Sequence, residues 1–451
     1  MTVLDWDLET VAAATAGTAR GAARVGSVSI DSRSAPAGSL FVALRGEHHD
    51  GHKFTADAHR NGAAAVLVER GRGPEGVPAV EVDDTLEALR LLGVRRRTEL
   101  DLPVVAVTGS TGKTSTKDLI AAALGDGAHA ATRSFNNEIG VPLTVLSCPA
   151  GASAAVVEMG SRGRGDIAHL APVVRPDVAV ITGVGRAHLE TFGDEAGVLV
   201  AKWELIEALG GDGVAVLPAD DDRLTGRTDR RTITFGDAPG AEVGASDIAL
   251  DDRGCASFTL THGAEAVAVK MSSAGRHQAR NAAAAVAAAV AVGVPFADAA
   301  RRVAGAATSP WRMEVVTVPV GEGAATVVND AYNANPDSMT AAFETVAAMG
   351  GGARIAVLGK MHELGAGEAE AHREVGRLAA AAGFDPVVVV GEDPGIGAGA
   401  GRVAIAVPDT AGAVAAVRDV LEPGAVVLVK ASRAEGLERV AAALAGEEVR
   451  S

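Results

Sequence analysis

The sequence of 451 residues contains little cysteine and little positive charge, and each shortage excludes a class of protein. Its two cysteines, Cys148 and Cys255, lie far apart with no metal-ligand spacing around them, which is typical of a reducing compartment. The formal net charge of -16 excludes an extended nucleic-acid-binding face, because a polyanion needs a basic surface. A local basic pocket for phosphate groups remains compatible with this charge.

The sequence also lacks the features of export and of membrane insertion. Its N-terminus carries acidic residues where a signal peptide has basic ones, and no apolar core follows them. The most apolar stretch, residues 282–294, is mostly alanine and shorter than the ~20 strongly apolar residues that cross a bilayer. We expect a close-packed helix there and a cytoplasmic protein without a membrane anchor. A monomer is the expectation for its assembly.

Lysine is scarce beside arginine and occurs only at positions 53, 113, 117, 202, 270, 360 and 430. Arginine cannot replace lysine where a compact ammonium must fit or where the amine itself must react. Each remaining lysine is therefore a candidate for such a role.

The chain is too long for one hydrophobic core, and at ~150 residues per domain it predicts about three α/β domains. Changes of pattern place them at residues 1–84, 85–309 and 310–451. Short apolar runs broken by turns predict a small α/β module first, and a helix near residues 86–97 joins it to the next domain.

The second and third domains alternate buried strands with helix-length stretches. In the second, this pattern predicts a doubly wound parallel sheet, with antiparallel strands added at its edge over residues 247–270 and a closing helix over 276–292. In the third domain, the pattern predicts a Rossmann-like fold without a GxGxxG loop, so we expect no dinucleotide to bind there. The glycine-rich stretch 391–401 predicts a surface loop. The expected strands of the third domain are residues 326–329, 355–358, 387–390 and 426–429.

The strongest local signal is a buried strand that runs from Val104 into a glycine loop and then into a helix opening at Lys113. Such a loop grips polyphosphate, because backbone N–H groups and the helix N-terminus face the phosphate oxygens. Lys113 would reach the β- and γ-phosphates, and the Thr114 hydroxyl would ligate Mg²⁺. The spacing is G-x-x-G-K-T, since Val107 stands where the longer pattern has its first glycine.

Further metal-type ligands follow later strands. Glu158 closes one apolar run, His188 follows another, and Lys202 lies beyond them. Ligands bind at the carboxyl ends of parallel strands in such sheets, so these three side chains are candidates for one site with the glycine loop.

Taken together, the motifs resemble those of the Mur ligase family over nearly the whole chain. DAYNANPDSM and NNEIGVP discriminate best within the family, and they favour the member that adds D-alanyl-D-alanine. The matching segments are IDSR (30–33), LFVALRGEHHDGHKF (40–54), TGSTGKTSTKD (108–118), NNEIGVPLT (136–144), VEMG (157–160), AHLETFG (187–193), AKWEL (201–205), WRME (311–314), DAYNANPDSM (330–339), LGKMHELG (358–365) and VLVKASR (427–433).

The resemblance implies a catalytic centre that uses ATP and two Mg²⁺ ions. Thr114, Glu158 and His188 would hold Mg²⁺, and Lys202 would be carbamylated. A carbamate turns a repelling ammonium into an anionic oxygen ligand for a hard cation. Lys113, Glu158, His188 and Lys202 are thus the implied catalytic residues. The implied ATP contacts are Gly109, Ser110, Thr111, Gly112, Lys113, Thr114, Ser115, His277, Asn281, Arg312 and Asp330.

The resemblance also implies two organic substrates, the UDP-N-acetylmuramoyl-tripeptide and D-alanyl-D-alanine. The N-terminal turns would receive the uridine diphosphate end, and residues after the last strand would orient the dipeptide or the precursor's carboxylate. The implied substrate-binding residues are Asp31, Ser32, Arg33, Asp50, Gly51, His52, Asn136, Asn137, Asn333, Lys430, Ser432 and Arg433.

The implied activity is ATP-dependent amide ligation through an acyl phosphate. Two alternatives remain open at this point. One is a ligase of the same family with another acceptor, such as a folylpolyglutamate-type or diamino-acid-adding enzyme. The other is a nucleotide-dependent switch or binding module that performs no ligation.

Overall fold

The computed structural model describes residues 3–46, 49–185, 189–307 and 309–447. Within these residues the strands form a five-stranded, a nine-stranded and a six-stranded sheet, together with a separate two-stranded pair. Each of the three larger sheets is built from a different stretch of the chain, so the predicted three-domain α/β architecture is confirmed. The domain boundaries drawn from the sequence stay a prediction.

The N-terminal domain is a small sheet with helices against it. Its elements are β1 (Trp6–Asp7), α1 (Leu8–Thr15), β2 (Thr18–Arg20), β3 (Arg24–Val25), β4 (Ser27–Ser29), β5 (Ser39–Val42), α2 (Thr55–Arg60), β6 (Ala65–Glu69), β7 (Ala79–Val82) and α3 (Thr85–Glu99). The sheet order is β2-β7-β6-β5-β4, and only β2 runs antiparallel to its neighbour. The long helix α3 begins where the Asp84 carboxylate accepts the backbone N–H groups of Leu86 and Glu87, which is an N-cap.

The central domain contains the longest sheet. Its elements are β8 (Val104–Thr108), α4 (Lys113–Leu124), β9 (Ala128–Ala130), α5 (Gly140–Leu146), β10 (Ala154–Glu158), α6 (Asp166–Val174), β11 (Val178–Ile181), α7 (Leu189–Phe192), α8 (Glu195–Glu207), β12 (Val214–Pro218), α9 (Asp222–Thr225), β13 (Thr232–Gly236), β14 (Val243–Leu250), β15 (Cys255–His262), β16 (Glu265–Ala274), α10 (His277–Ala291) and α11 (Phe296–Ala304). The sheet order is β16-β15-β14-β13-β12-β11-β8-β10-β9. Strands β8 to β14 pair in parallel, whereas β15 and β16 are antiparallel additions, as predicted for residues 247–270.

Helices cover both faces of the parallel part of this sheet. On one face the alanine-rich helix α10 is buried from Ala282 to Ala289 beside α4 and α11. On the other face α5, α6 and α8 complete a second apolar core. Alanine side chains let α10 approach the sheet closely, which explains why the most apolar stretch of the chain is a packed helix rather than a membrane span. Among the described residues, no helix is both long and apolar enough to cross a bilayer.

The C-terminal domain is a second parallel sheet with one antiparallel edge strand. Its elements are β17 (Glu314–Val320), β18 (Gly323–Asn329), α12 (Pro336–Ala348), β19 (Arg354–Leu358), α13 (Glu368–Ala381), β20 (Phe384–Val390), α14 (Ile396–Ala400), β21 (Ala404–Val407), α15 (Thr410–Val420), β22 (Val426–Lys430) and α16 (Glu438–Ala445). The sheet order is β17-β18-β22-β19-β20-β21. All four strands expected from the sequence are present, and the edge strands β17 and β21 are additional.

The prediction of a plain surface loop at residues 391–401 is wrong. This stretch contains the short helix α14, whose Ile396 is fully buried against the domain core. A Cβ atom on Gly399 would lie 2.0 Å from the Arg373 carbonyl oxygen, and one on Gly376 would lie 2.0 Å from the Ile396 carbonyl oxygen. Glycine is required at these positions because the backbones of α13 and α14 are in direct contact. From composition alone, a stretch so rich in glycine is predicted to be a loop.

Candidate active site

A cavity of about 1490 Å³ lies where the carboxyl ends of the central strands face the C-terminal domain. The N-terminal domain contributes Ile30 to its wall. Crevices of this kind, outside the carboxyl ends of parallel strands, are where open α/β sheets bind ligands. Most of the implied ATP and metal residues that the structure describes line this cavity: Ser110, Thr111, Gly112, Lys113, Thr114, Ser115, Glu158, His277, Asn281, Arg312 and Asp330.

The glycine loop between β8 and α4 adopts a backbone that only glycine accepts at two positions. Gly109 has φ +148° and Gly112 has φ +76°. A Cβ atom on Gly109 would lie 2.0 Å from Thr182 Oγ1, and one on Gly112 would lie 2.8 Å from Asn281 Oδ1. The loop therefore packs directly on its neighbours, and it presents the N-terminus of α4 to the cavity as a site for anions.

Lys113, the first residue of α4, is held inside this loop. Its ammonium donates to the Gly109 carbonyl oxygen at 2.7 Å. Burial lowers the pKa of Lys113, while the nearby Glu158 carboxylate acts in the opposite direction and the Arg312 guanidinium lowers it further. The ammonium thus lies at the loop mouth in a water-poor setting, where interaction with a phosphate is strong.

Glu158, at the end of β10, organises a group of oxygen and amide side chains. Its Oε2 accepts from the Thr114 hydroxyl at 2.8 Å, and its Oε1 accepts from Ser134 Oγ at 2.9 Å and from Asn136 Nδ2 at 2.7 Å. From the C-terminal domain, the Arg312 guanidinium donates to Thr114 Oγ1 at 2.8 Å. Two domains therefore meet at the Thr114 hydroxyl.

The donors around Glu158 fit Mg²⁺, which prefers hard oxygen ligands and is usually bound by one or two carboxylates plus substrate phosphates. Across the described ranges no set of three or more His, Cys, Asp or Glu side chains could hold a metal ion by itself. The proposed ligand His188 lies outside the described residues. The described ligands thus suit a cation that takes the rest of its coordination from a bound nucleotide.

Lys202, on α8, is almost fully buried, with 1% of its surface exposed. Its Nζ donates to the Ser161 hydroxyl at 2.7 Å. Burial lowers the pKa of Lys202 to about 7, and repulsion from Lys113 contributes in the same direction. A substantial fraction of this amine is therefore uncharged at neutral pH, unlike that of an ordinary lysine.

The residues expected on the adenine side come together at the domain junction. His277 begins α10, and burial lowers the pKa of its imidazole against the influence of the Asp330 carboxylate. Asn281 is buried and donates to Gln278 Oε1 at 3.1 Å. Asp330 accepts from Lys430 Nζ at 2.6 Å and from the backbone N–H of Met313 at 3.1 Å. The Asp330 side chain therefore fixes the start of the C-terminal domain as well as lining the cavity.

The residues after β22 separate into two groups. Lys430 is buried and donates to Asp330 and to the Asn333 carbonyl oxygen, and Ser432 Oγ accepts from the backbone N–H of His362 at 3.0 Å. These three contacts orient the loops of the C-terminal domain. Arg433 lines the cavity, as Lys430 does, but its side chain is 47% exposed. Because Lys430 is buried and bound to Asp330, Arg433 is the more exposed of the two and the better placed to meet a substrate.

The three asparagines implied in substrate binding all line the cavity. Asn137 Oδ1 accepts from the backbone N–H groups of Gly140 at 2.9 Å and Ile139 at 3.3 Å, so it shapes the start of α5. Asn136 is bound to Glu158, and Asn333 holds Lys430 through its backbone carbonyl.

The structure does not bring the N-terminal candidates to this cavity. Asp31 pairs with Arg33 at 2.8 Å on the surface, and the backbone carbonyl of Ser32 accepts from Asn61. Asp50 binds His52 Nδ1 at 2.7 Å and Arg72 at 2.6 Å, and Gly51 packs against Leu44, where a Cβ atom would lie 2.7 Å from the carbonyl oxygen.

Among the side chains that the sequence did not single out, Ser134, Ser161, Tyr332 and Glu438 contact predicted site residues directly. Ser134 and Ser161 bond Glu158 and Lys202, and each lies in or beside a family segment without being a motif residue. The Arg312 guanidinium stacks on the Tyr332 ring at 3.9 Å, and Glu438 accepts from Arg433 at 2.6 Å. Tyr332 is the only tyrosine of the chain and lies inside DAYNANPDSM, which was a usable signal.

Comparison with known families accounts for most of the chain. The description Mur ligase family, catalytic domain, matches residues 24–96, Mur ligase middle domain matches residues 107–289, and Mur ligase, glutamate ligase domain, matches residues 311–433. The chain therefore belongs to the Mur ligase family, as its motifs predicted.

Within that family, the chain groups with the UDP-N-acetylmuramoyl-tripeptide--D-alanyl-D-alanine ligases. It is 37% identical over 370 residues to the enzyme of that name from Bacillus subtilis, which covers 81% of this chain and 80% of the relative. Two solved structures are similar over nearly their full length. They are MurF from Acinetobacter baumannii, with 30% identity, a TM-score of 0.88 and coverage of 99% and 100%, and MurF ligase from Thermotoga maritima in complex with ADP, with 30% identity, a TM-score of 0.81 and coverage of 93% and 97%. The predicted group within the family is therefore confirmed.

Proposed function

We propose that this chain joins D-alanyl-D-alanine to the UDP-N-acetylmuramoyl-tripeptide, with ATP as the energy source and an acyl phosphate as the intermediate. The observation that carries the proposal is the junction of two domains at the glycine loop, where Arg312 reaches the Thr114 hydroxyl beside Glu158. This arrangement suits a reaction in which closure over a nucleotide assembles the site. The relatives named above support the two organic substrates.

The glycine loop is the proposed site of the ATP phosphates. The backbone of Gly109 to Ser115 and the N-terminus of α4 would hold the phosphate oxygens, and the Lys113 ammonium would neutralise charge that develops on the γ-phosphate. His277 and Asn281 would contact the adenine side, while Arg312 and Asp330 would approach from the C-terminal domain. The ADP complex of the Thermotoga maritima relative supports a nucleotide at this site.

Thr114 and Glu158 would hold Mg²⁺, together with His188 and a carbamylated Lys202, and a second Mg²⁺ would complete the site. When bound, Mg²⁺ supplies charge neutralisation on the transferred phosphoryl group. Ser134 and Asn136 keep the Glu158 carboxylate in a fixed orientation through their hydrogen bonds.

Lys202 is chemically suited to carbamylation. The uncharged amine attacks carbon dioxide, an N–C bond forms, and one proton leaves to solvent, which gives an anionic carbamate. Burial provides that uncharged amine by lowering the pKa of Lys202 to about 7. The Ser161 hydroxyl, 2.7 Å from Nζ, orients the amine.

The precursor's terminal carboxylate would attack the γ-phosphorus, with ADP as the leaving group. The amine of D-alanyl-D-alanine would then attack the acyl carbon, the C–O bond to phosphate would break, and the amine proton would pass to solvent or phosphate. A free carboxylate acylates poorly because oxide is a poor leaving group, whereas phosphate leaves readily. Domain closure excludes water and protects the acyl phosphate from hydrolysis.

Phosphate release from ATP and Mg²⁺ tests this function when it is measured with the UDP-linked tripeptide, with and without D-alanyl-D-alanine. The expected result is release that requires both substrates, together with the mass of the UDP-linked pentapeptide. Release with another amine would identify a sister ligase. Nucleotide binding without any substrate-dependent release would identify a binding module instead.

A further inference from the structure

Two neighbouring residues at the start of the C-terminal domain each take part in an arginine–aromatic stack. The Arg433 guanidinium lies 4.2 Å from the centre of the Trp311 ring, and the Arg312 guanidinium lies 3.9 Å from the centre of the Tyr332 ring. Trp311 and Arg312 are neighbours in the chain. One short segment therefore touches a cavity-lining arginine through one side chain and the ATP loop through the next.

The backbone of this segment is held in an uncommon conformation. Trp311 has φ +62° and Met313 has φ +51°, and both residues carry side chains that disfavour this region. Such conformations persist when surrounding contacts determine them. Three contacts do so here: Ser309 N–H donates to Asp118 Oδ2 at 2.7 Å, Tyr332 N–H donates to the Trp311 carbonyl oxygen at 3.2 Å, and Met313 N–H donates to Asp330 Oδ1 at 3.1 Å.

These contacts link the position of Trp311 to that of the adjoining residue Arg312 through a backbone that both domains hold. Ser309 is fixed to helix α4 of the central domain, whereas the carbonyl of Trp311 and the N–H of Met313 are fixed to the C-terminal domain. The backbone of residues 309–313 is thus held by both domains, so a displacement of the Trp311 residue is passed to the backbone that carries Arg312. Arg312 in turn donates to Thr114 Oγ1 in the glycine loop.

The other end of the link is built to receive an anion. Arg433 is oriented by Trp311 on one side and by the Glu438 carboxylate at 2.6 Å on the other. Glu438 is buried, and its Oε2 has no hydrogen-bond partner among the described residues. The charge of this carboxylate is therefore compensated by the Arg433 guanidinium, which binds Oε1. The Arg433 side chain remains 47% exposed and lines the cavity, where the planar fork of its guanidinium suits a carboxylate.

We propose that Trp311 is a positioning residue that couples recognition of a substrate carboxylate at Arg433 to the hold of Arg312 on the ATP loop. The proposal rests on the function proposed above, because it assigns the carboxylate to D-alanyl-D-alanine. A carboxylate bound to Arg433 fixes the stack on Trp311, and this favours the backbone that directs Arg312 to Thr114. Coupling of this kind is reciprocal, so a bound nucleotide favours dipeptide binding by the same factor.

The test is a double-mutant cycle on equilibrium binding of a non-hydrolysable ATP analogue with Mg²⁺, measured by calorimetry on the full chain. Trp311→Gly removes the ring and accepts the left-handed backbone, and Arg433→Gln removes the other half of the stack. We expect each change to weaken binding of the analogue about threefold to tenfold, although neither side chain belongs to the glycine loop. The double variant is expected to bind as each single variant does, because both remove the same contact.

Three further measurements separate coupling from simple damage. Trp311→Phe keeps an aromatic face and is expected to bind within about twofold of the wild type. Arg227→Gln, which removes an arginine stack on Trp203 outside the cavity, is the matched control and should leave binding unchanged. Saturating D-alanyl-D-alanine should tighten analogue binding in the wild type and not in Trp311→Gly.

The inference is overturned if Arg433→Gln leaves analogue affinity unchanged, or if the two losses multiply in the double variant. Should Trp311→Gly fail to fold, Trp311→Leu serves instead, since leucine keeps apolar bulk without an aromatic face. The cycle needs no dipeptide, so its result is independent of whether the wild type ligates D-alanyl-D-alanine. Failure of the proposed function would appear separately, as absence of dipeptide-dependent phosphate release.

Discussion

The surroundings of the cavity between the central and C-terminal domains and the polar turns of the N-terminal domain contain similar residue types, but their hydrogen-bonding groups are used differently. Behind the cavity-lining residue Ser161, Lys202 is buried with a lowered pKa, and in the cavity wall Arg312 Nε is buried without a hydrogen-bond partner among the described residues. In the N-terminal turns, Asp50 binds both His52 and Arg72. The first region has polar groups available to a ligand, whereas the polar groups of the second region form hydrogen bonds with one another.

This difference predicts opposite effects of substitution. A buried charge without full compensation costs folding free energy, which a bound ligand can offset. Removal of the buried charge of Lys202 should therefore reduce activity while stability is kept or raised. Removal of the buried ring of His52 in the N-terminal turns should reduce stability while turnover of ATP is kept.

Lys202→Met has the largest expected effect. Ligation should fall at least about 100-fold, because methionine cannot form the carbamate that would stabilise charge at the site. Stability should move in the other direction. The pKa of Lys202 is about 7 in the folded protein against 10.5 for a free lysine, so the unfolded chain binds more protons between these values and wild-type stability rises with pH across this window.

Methionine removes this burial cost, so Lys202→Met should be more stable than the wild type by about 1–3 kcal/mol below pH 7. The gain should fade as the pH approaches 10.5. Denaturant unfolding from pH 6 to 10 in buffer free of carbon dioxide measures it, with phosphate release as the activity readout. Lys270→Met, at an exposed lysine, is the control. The low pKa of Lys202 would be contradicted if the stability gain of Lys202→Met over the wild type were smaller at pH 6 than at pH 10.

Gly112→Ala should have the next largest effect, and Gly38→Ala is its matched control. The two glycines have φ +76° and +77°, so both substitutions carry the same backbone cost of about 1–2 kcal/mol. A Cβ atom meets nothing within 4 Å at Gly38 but lies 2.8 Å from Asn281 Oδ1 at Gly112. Calorimetry with ADP and Mg²⁺ should show weaker binding for Gly112→Ala alone. Equal nucleotide affinity in the two variants would remove the glycine loop from the proposed site.

The glycine loop could be located from the sequence because a strand, a turn and a helix start lie within about a dozen consecutive residues. Glu158 could be located because it closes an apolar run, and ligands bind at the carboxyl ends of parallel strands. The partners Ser134, Ser161 and Glu438 could not, since each meets its neighbour only after separate elements pack. Residues 391–401 show the same limit for the fold. Their composition is that of a loop, and only the touching helix backbones explain why Ile396 is buried.

His52→Ala should act on stability rather than on catalysis. His52 is buried, its Nδ1 bonds the Asp50 carboxylate, and its Nε2 accepts the backbone N–H of Glu69 at 3.0 Å. Loss of the ring leaves that N–H without its acceptor, which should lower the free energy of unfolding by about 1–3 kcal/mol. The KM for ATP should stay unchanged. An increase of the precursor KM with unchanged stability would instead favour direct substrate binding by His52, as the family resemblance implies.

Arg33→Gln should have the smallest effect on the fold and is the sharpest probe of the N-terminal turns. The Arg33 guanidinium holds the pKa of Asp31 at about 2, mainly through its side-chain hydrogen bond, so this substitution should raise that pKa toward 3.8. The stabilisation from this pair is present above pH 4 and is lost as the pH falls toward 2. Because the pair is exposed, salt screens it, and the unfolding midpoint at neutral pH should not move measurably.

An NMR titration of the Asp31 carboxyl in wild type and in Arg33→Gln measures this shift directly, and Arg60→Gln serves as the control because Arg60 pairs with Asp57 instead. The same variant separates two roles of the turn. If the precursor KM rises while the fold and the ATP KM are unchanged, the Arg33 guanidinium leaves Asp31 and binds a substrate phosphate during the reaction. An unchanged precursor KM would mean that the pair only shapes the loop beside Ile30, and that the uridine diphosphate end is held through other groups.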